Sequence, residues 1–160
     1  EPVTDLQARP SAVPWPPLIY LAAIAIAIIA HFAYPLPWFS SPLSDILFAA
    51  GGLVILAVVL IDVAAVKAFR RHKTSPMPNR GADHLITDGP FSFTRNPFYL
   101  ANSLVMIGAG LLSGITWFFV LAIVAGFLTQ KLAIQPEEKH LELRFGKKYR
   151  DYAKRVRRWI

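Results

Sequence analysis

The polar residues best suited to chemistry fall in two short stretches far apart in the chain. Asp88, Arg95, Asn96 and Tyr99 lie in the first; Glu137, Glu138 and His140 lie in the second. Adjacent carboxylates repel, so Glu137 and Glu138 need a cation close by to justify their placement. Arg95 or a cationic ligand could supply it. Without a ligand, the same residues would be plain interfacial charges. Asp62 stands inside an apolar run, where an acid is costly and usually meets a cavity or a partner; it could also snorkel or pair with Lys67. Gly108 and Gly110 form a Gly-Ala-Gly sequence. Their missing side chains would serve close helix packing or let a ligand approach the backbone, and spacing does not choose between the two.

Several chemistries are excluded. The chain has no cysteine, hence no disulfide, thiolate metal site, iron–sulfur cluster or cysteine nucleophile. His31, His72, His84 and His140 have no recognised metal-ligand spacing, so no metal is expected. Neither a phosphate-binding P-loop nor a GxSxG nucleophile elbow occurs.

The elements that must carry these residues are membrane spans. The 160 residues are 54% hydrophobic with a mean hydropathy of +0.42, and 17% are charged, against about 25% in soluble domains. No Asp, Glu, Lys or Arg lies between Arg9 and Asp45, or between Arg95 and Lys131. The first apolar run predicts a span over 18–34. The Pro-rich stretch before it, through residue 17, reads as irregular and unlike a cleaved signal peptide. Pro35 and Pro37 end the span. A second span is expected over 46–65, closed by Lys67, Arg70, Arg71, His72 and Lys73. As one helix, residues 96–130 would reach roughly 52 Å, well beyond a hydrocarbon core of about 30 Å. Two spans over 97–112 and 114–131, with a tight turn near Gly114, fit better.

Between the second and third spans lies a polar connector over 67–95, rich in turn formers and long enough to be a functional loop. After the fourth, residues 137–159 put Leu141, Phe145, Tyr149, Tyr152, Val156 and Trp159 on one helical face. That predicts an amphipathic helix lying on the membrane or against the connector, with Gly146 as a point of interruption. The net charge is +7, but nine of the 17 Lys and Arg follow Pro136. Juxtamembrane basic residues mark the cytoplasmic side and touch anionic lipid, so membrane lipid, and not nucleic acid, is the expected partner. The stretch around Trp38 and the hairpin near Gly114 carry no Lys or Arg, which puts both termini and the connector in the cytoplasm. The expectation is a single all-α integral membrane unit with four transmembrane helices, a long cytoplasmic connector and a C-terminal amphipathic helix.

The run from Leu85 to Leu100 reads LITDGPFSFTRNPFYL. It resembles the signature of the isoprenylcysteine carboxyl methyltransferase family, which is related to the phospholipid N-methyltransferases; both are membrane enzymes that use S-adenosylmethionine. Gly89-Pro90-Phe91 is similar to the family's Gly-Pro-aromatic element, and Arg95-Asn96-Pro97 with Tyr99 to its Arg-His/Asn-Pro-x-x-Tyr element. Gly108-x-Gly110 is similar to the glycine pair of the cofactor region. Glu137-Glu138, Phe145-Gly146, Tyr149 and Tyr152 are similar to the C-terminal pattern, and Thr74 is a further similar position. The resemblance covers roughly residues 70–158. Asn96 stands where the eukaryotic carboxyl methyltransferases carry His, as in bacterial relatives.

The resemblance implies a bacterial inner-membrane methyltransferase with S-adenosylmethionine as cofactor. Its acceptor would be a lipophilic small molecule or lipid, an isoprenylcysteine-type carboxylate or another. It implies cofactor binding by Gly89, Phe91, Arg95, Pro97, Tyr99, Gly108, Gly110, Glu137, Glu138 and His140, and catalysis by Arg95, Asn96, Glu138 and Asp62. Arg95 would clamp a carboxylate, Glu137 or Glu138 would hold cationic or hydroxyl groups, and the aromatic rings would pack on adenine or face the sulfonium. A carboxylate acceptor needs no base; an amine or phenol does, and Glu138 or Asp62 would serve. The alternatives are a nicotinamide-dependent membrane reductase of sterol-like lipids and a non-catalytic membrane scaffold.

Overall fold

The computed structural model describes residues 15–73 and 84–160. The expectations for Thr74, for the turn formers between 76 and 81, and for residues 1–14 lie outside them. Helix α1 spans Trp15–Ala33, α2 Leu43–Arg71, α3 Pro97–Ser113 and α4 Trp117–Thr129. A π-helical turn over Gln130–Ile134 joins α4 without a break to α5, Gln135–Phe145, and α6 follows over Lys147–Arg155. Among the described residues, three helical stretches are long and apolar enough to cross a membrane: α1, α2 and the continuous Trp117–Phe145. Helix α3 is apolar but has 17 residues, about 25 Å at 1.5 Å per residue. Large apolar side chains such as Phe32 (81% exposed) and Ile123 (76%) point outward, as they do where lipid is the solvent.

The boundaries differ from the expected ones for physical reasons. Helix α1 begins at Trp15 and takes Pro16 and Pro17 into its first turn, where a missing N–H costs nothing. Helix α2 continues past 65 to Arg71, because Lys67, Arg70 and Arg71 are good helix formers and cations suit a helix C-terminus. The connector therefore starts after the expected residue 67. The hairpin turn falls where the uncharged stretch predicts it: Gly114, at φ +74°, caps α3, and its N–H donates to the Gly110 carbonyl at 2.9 Å.

The fourth helix does not stop near 131. Pro136 has no N–H, and its ring would clash with the carbonyl of Leu132, four residues back. The π-turn immediately before it absorbs that defect, so the helix carries on through Glu137 and Glu138. The helix expected over 137–159 is interrupted at Gly146 (φ +56°), where the sequence offers a break, into α5 and α6, and it ends earlier than expected in an extended segment beginning at Val156 (φ −123°, ψ 127°).

Helix α2 lies along α3, α1 lies along α4, and α3 packs against α4. A Cβ at Gly51 would come within 2.9 Å of Leu111 Cβ and 3.1 Å of the Leu112 backbone nitrogen, so α2 and α3 meet through a missing side chain. At the hairpin end, Trp38 stacks on Phe119 with ring centroids 5.9 Å apart. Thr116 Oγ1 donates to the Pro37 carbonyl and Trp117 Nε1 to the Tyr34 carbonyl, both at 2.8 Å. At the opposite end, Asp88 is fastened to the tip of α2, with Arg71 Nη2 at 2.8 Å and His72 Nε2 at 3.0 Å. A 3-10 turn over Gly89–Ser92 follows it.

Two predictions follow from this packing. Gly51→Ala should lower stability in detergent by about 1–3 kcal/mol, because the new methyl meets a Cβ and a backbone atom that cannot swing away. Gly52→Ala, with nothing within 4 Å, should be neutral or stabilising by up to about 1 kcal/mol; thermal unfolding of the pair checks the helix seam, and equal effects would contradict it. The second concerns Asp88. Desolvation, the largest single influence, opposes its ionisation, but the hydrogen bonds from Arg71 and His72 and the Arg71 charge together outweigh it and hold the carboxyl below its ordinary value. A carboxyl depressed by folding stabilises above its unfolded pKa of about 4, and the contribution is lost as pH falls through the folded value. Protection of the 85–92 amides from hydrogen exchange should therefore decline as pH drops below about 4, and Asp88→Asn should abolish that decline by lowering protection at neutral pH.

Candidate active site

The turn before α3 is held by the segment that follows α6. Arg95 N donates to the Arg157 carbonyl at 3.0 Å. Asn96 Nδ2 donates to the Arg158 carbonyl at 2.8 Å, and Thr94 Oγ1 reaches the same oxygen at 3.4 Å. Trp159 Nε1 donates to Gln130 Oε1 at 3.1 Å, which ties the segment to the π-turn as well. Beside it, Leu85, Tyr149, Tyr152 and Val156 form a buried cluster, with Phe91, Leu141, Phe145 and Ala153 packed against it. The Tyr152 hydroxyl donates to the Phe91 carbonyl at 2.6 Å, and burial raises its pKa further above the ordinary phenol value. The apolar stripe thus packs, in part, against Leu85 and Phe91.

Glu138 sits at the centre. Arg158 donates to it twice, Nε to Oε1 at 2.8 Å and Nη2 to Oε2 at 2.9 Å. Arg95 Nη1 lies 3.4 Å from Oε1, with the two side chains 16% and 21% exposed, and the same Nη1 donates to the Tyr149 hydroxyl at 3.1 Å. One residue earlier, Glu137 Oε2 accepts from the Tyr99 hydroxyl at 2.9 Å. The adjacent acids thus have separate partners. Burial raises the Tyr149 phenol above its ordinary value; Arg95 opposes this, while Glu138 and Glu137 add to it. Tyr149 therefore keeps its proton at neutral pH and can donate it while accepting from Arg95. Arg95 Nε is buried and has no hydrogen-bond partner among the described residues.

The fold brings together Arg95, Tyr99, Glu137 and Glu138. Asn96 and Pro97 adjoin them, but the Asn96 amide is committed to the Arg158 carbonyl and Pro97 is buried as the first residue of α3. Gly89, at φ +58°, sits against Ala68 and Arg71 of α2. The Phe91 ring meets Phe69 edge-on at 5.6 Å. His140 is buried on α5, 2% exposed. Asp88 is drawn off to Arg71 and His72. Gly108 and Gly110 lie elsewhere, along α3: a Cβ on the first would strike Ile55 at 2.6 Å, and on the second Phe119 at 2.8 Å. Asp62 is partly buried on α2, and among the described residues no hydrogen bond or ion pair reaches it, so the pairing with Lys67 is not made.

Sequence reasoning missed Arg158 and Thr94, and placed Tyr149 in the apolar stripe and the C-terminal pattern without naming it among the site residues. Arg158 is hidden in the basic run from Lys154, which reads as solvated charge. The one available signal is position: it lies between Val156 and Trp159, two residues of the apolar stripe.

Residues 46–148 match the family model described as phospholipid methyltransferase. Comparison with curated proteins and with solved structures gave no match. The match covers more than half of the chain. It includes Arg95, Tyr99, Glu137 and Glu138, and stops short of Tyr149 and Arg158. It names the phospholipid methyltransferases and not specifically the isoprenylcysteine carboxyl methyltransferases, and it decides for methyl transfer over the reductase and scaffold alternatives. With its long apolar helices, the chain is an integral membrane methyltransferase that uses S-adenosylmethionine and belongs to the phospholipid methyltransferase family.

Proposed function

We propose that S-adenosylmethionine binds at the Arg95–Glu138 cluster and that the methyl acceptor is a lipid-like molecule entering from the bilayer. The observation that carries this is the buried, unpartnered Nε of Arg95, whose Nη1 lies 3.4 Å from the Glu138 carboxylate. A zwitterionic aminoacyl end needs both signs within a few ångströms, and this donor set fits it. Arg95 would hold the cofactor carboxylate through its fork. Glu137 and Glu138 keep lone pairs beyond those used by Tyr99 and Arg158, and would take the ammonium or the ribose hydroxyls. Gly89, Phe91, Pro97 and His140 would complete the neighbourhood.

When bound, the cofactor supplies an electrophilic methyl group on a sulfonium sulfur, which an acceptor lone pair takes by direct displacement. The protein's part is alignment and exclusion of water, for which the α5–α6 stripe closed over the connector is suited. An acceptor amine or phenol would give up its proton to Glu138 or Asp62; a carboxylate, isoprenylcysteine-type or other, would need neither. Helix α3 would make a fourth, short span. Both termini and the connector would face the cytoplasm of a bacterial inner membrane, as the Lys and Arg distribution favours.

Arg95→Ala should weaken S-adenosylmethionine binding roughly ten- to over a hundredfold, the loss of a charge-assisted contact worth about 1.5–3 kcal/mol. Arg95→Lys should recover part of this, since Lys keeps the charge without the fork. Isothermal titration of monodisperse variants in detergent measures it, and wild-type affinity in Arg95→Ala would remove the cluster from the cofactor site. With wild-type protein, radiolabelled cofactor and lipid extracts, label should enter an organic-phase product; label confined to water-soluble products would contradict the lipid-like acceptor.

A further inference from the structure

Among the many basic residues after Pro136, Arg158 behaves differently from its neighbours. Lys147, Lys148, Lys154, Arg155 and Arg157 are exposed. Arg158 turns inward, 32% exposed, and grips Glu138 with two parallel bonds of 2.8 and 2.9 Å. A bidentate fork fixes the plane of a carboxylate as well as its position. The alternative partner is close: Arg95 Nη1 is only 3.4 Å from Glu138 Oε1. Without Arg158, the Tyr149 hydroxyl on the same Nη1 would be left to keep the Arg95 fork from closing on Glu138, and closure would consume the donors that an incoming anionic group requires.

We infer that Arg158 is a positioning residue for the cofactor site: its guanidinium holds the Glu138 carboxylate in plane and keeps Arg95 from collapsing onto it, so that the buried Arg95 Nε stays available to an anionic oxygen. This rests on the reading that Arg95 and Glu138 bind the cofactor. The residue has two separable jobs. Its carbonyl accepts from Asn96 and Thr94 and survives any substitution; its guanidinium alone touches Glu138.

The two jobs can be separated experimentally in the full-length protein. Isothermal titration with S-adenosylmethionine should show roughly a tenfold or greater loss of affinity in Arg158→Met and a smaller loss in Arg158→Lys, which keeps charge but not the fork. Hydrogen-exchange protection of the Arg95 and Asn96 amides should be unchanged in both. In a Glu138→Gln background, Arg158→Met should alter affinity by less than about twofold, because the partner is already lost. Wild-type affinity in either single Arg158 variant overturns the inference, as does an equal loss in both backgrounds; if Arg158→Met does not fold, Arg158→Lys alone decides it. Weak binding in Glu138→Gln beside wild-type binding in Arg158→Met sinks the positioning role and leaves the cofactor reading intact. Wild-type binding in Glu138→Gln sinks that reading, and the positioning role with it.

Discussion

Glu138 is a carboxylate taken partly out of water and set between two guanidiniums, with Arg158 at 2.8 Å and Arg95 at 3.4 Å. A charge in that position is tolerated only where partners replace the lost hydration. The acid and its partners come from three distant parts of the chain: Arg95 from the turn before α3, Glu138 from the helix that continues α4, and Arg158 from the segment after α6. Satisfying one acid thus dictates where the connector ends, where the tail lies and which way the last arginine faces. Tyr149 and Tyr99 extend the arrangement, one bonding Arg95 and the other Glu137.

The bundle beneath is organised to hold this end in register. Lipid gives little hydrophobic push between helices, so close approach through small residues carries the packing. Gly51 against Leu111 and Gly108 against Ile55 draw α2 onto α3; Gly110 against Phe119 does the same for α3 and α4. The hairpin end is closed by Trp38 on Phe119 and by bonds from Thr116 and Trp117. Inside, Tyr20 of α1 bonds Ser103 of α3 at 2.6 Å, which links the first helix to the one that carries Tyr99. The polar end is consequently a layer of charged and hydroxyl groups on a tightly interlocked apolar base.

Much of this was legible in the sequence because lipid imposes a simple rule on it. Two long stretches without charge reported α1 and the α3–α4 pair, and the length of the second demanded a turn that Gly114 provides. The adjacent acids at 137 and 138 called for a cation, and Arg95 is one. The rest depended on facts that single residues do not display. The fourth span reads as ending near residue 131, yet a π-turn before Pro136 lets the helix run on. The tail's helical spacing carries on through Trp159, yet Val156 leaves helical geometry. Arg158 reads as one more solvated cation in a basic run. Gly108 and Gly110 offered packing or ligand access equally, and side chains from α2 and α4 fill the space beside them. Asp88 shares a stretch with Arg95, but a clamp from the end of α2 takes it away.

The central claim is that the cofactor is held where the tail closes on the turn before α3. Hydrogen exchange of the detergent-solubilised protein with and without saturating S-adenosylmethionine tests it most directly. Added protection should concentrate at 89–99 and 137–158, with the hairpin around Gly114 and the Trp38 stretch unaffected. Protection at the hairpin end, or along α2 and α3 with none in the tail, would contradict the account.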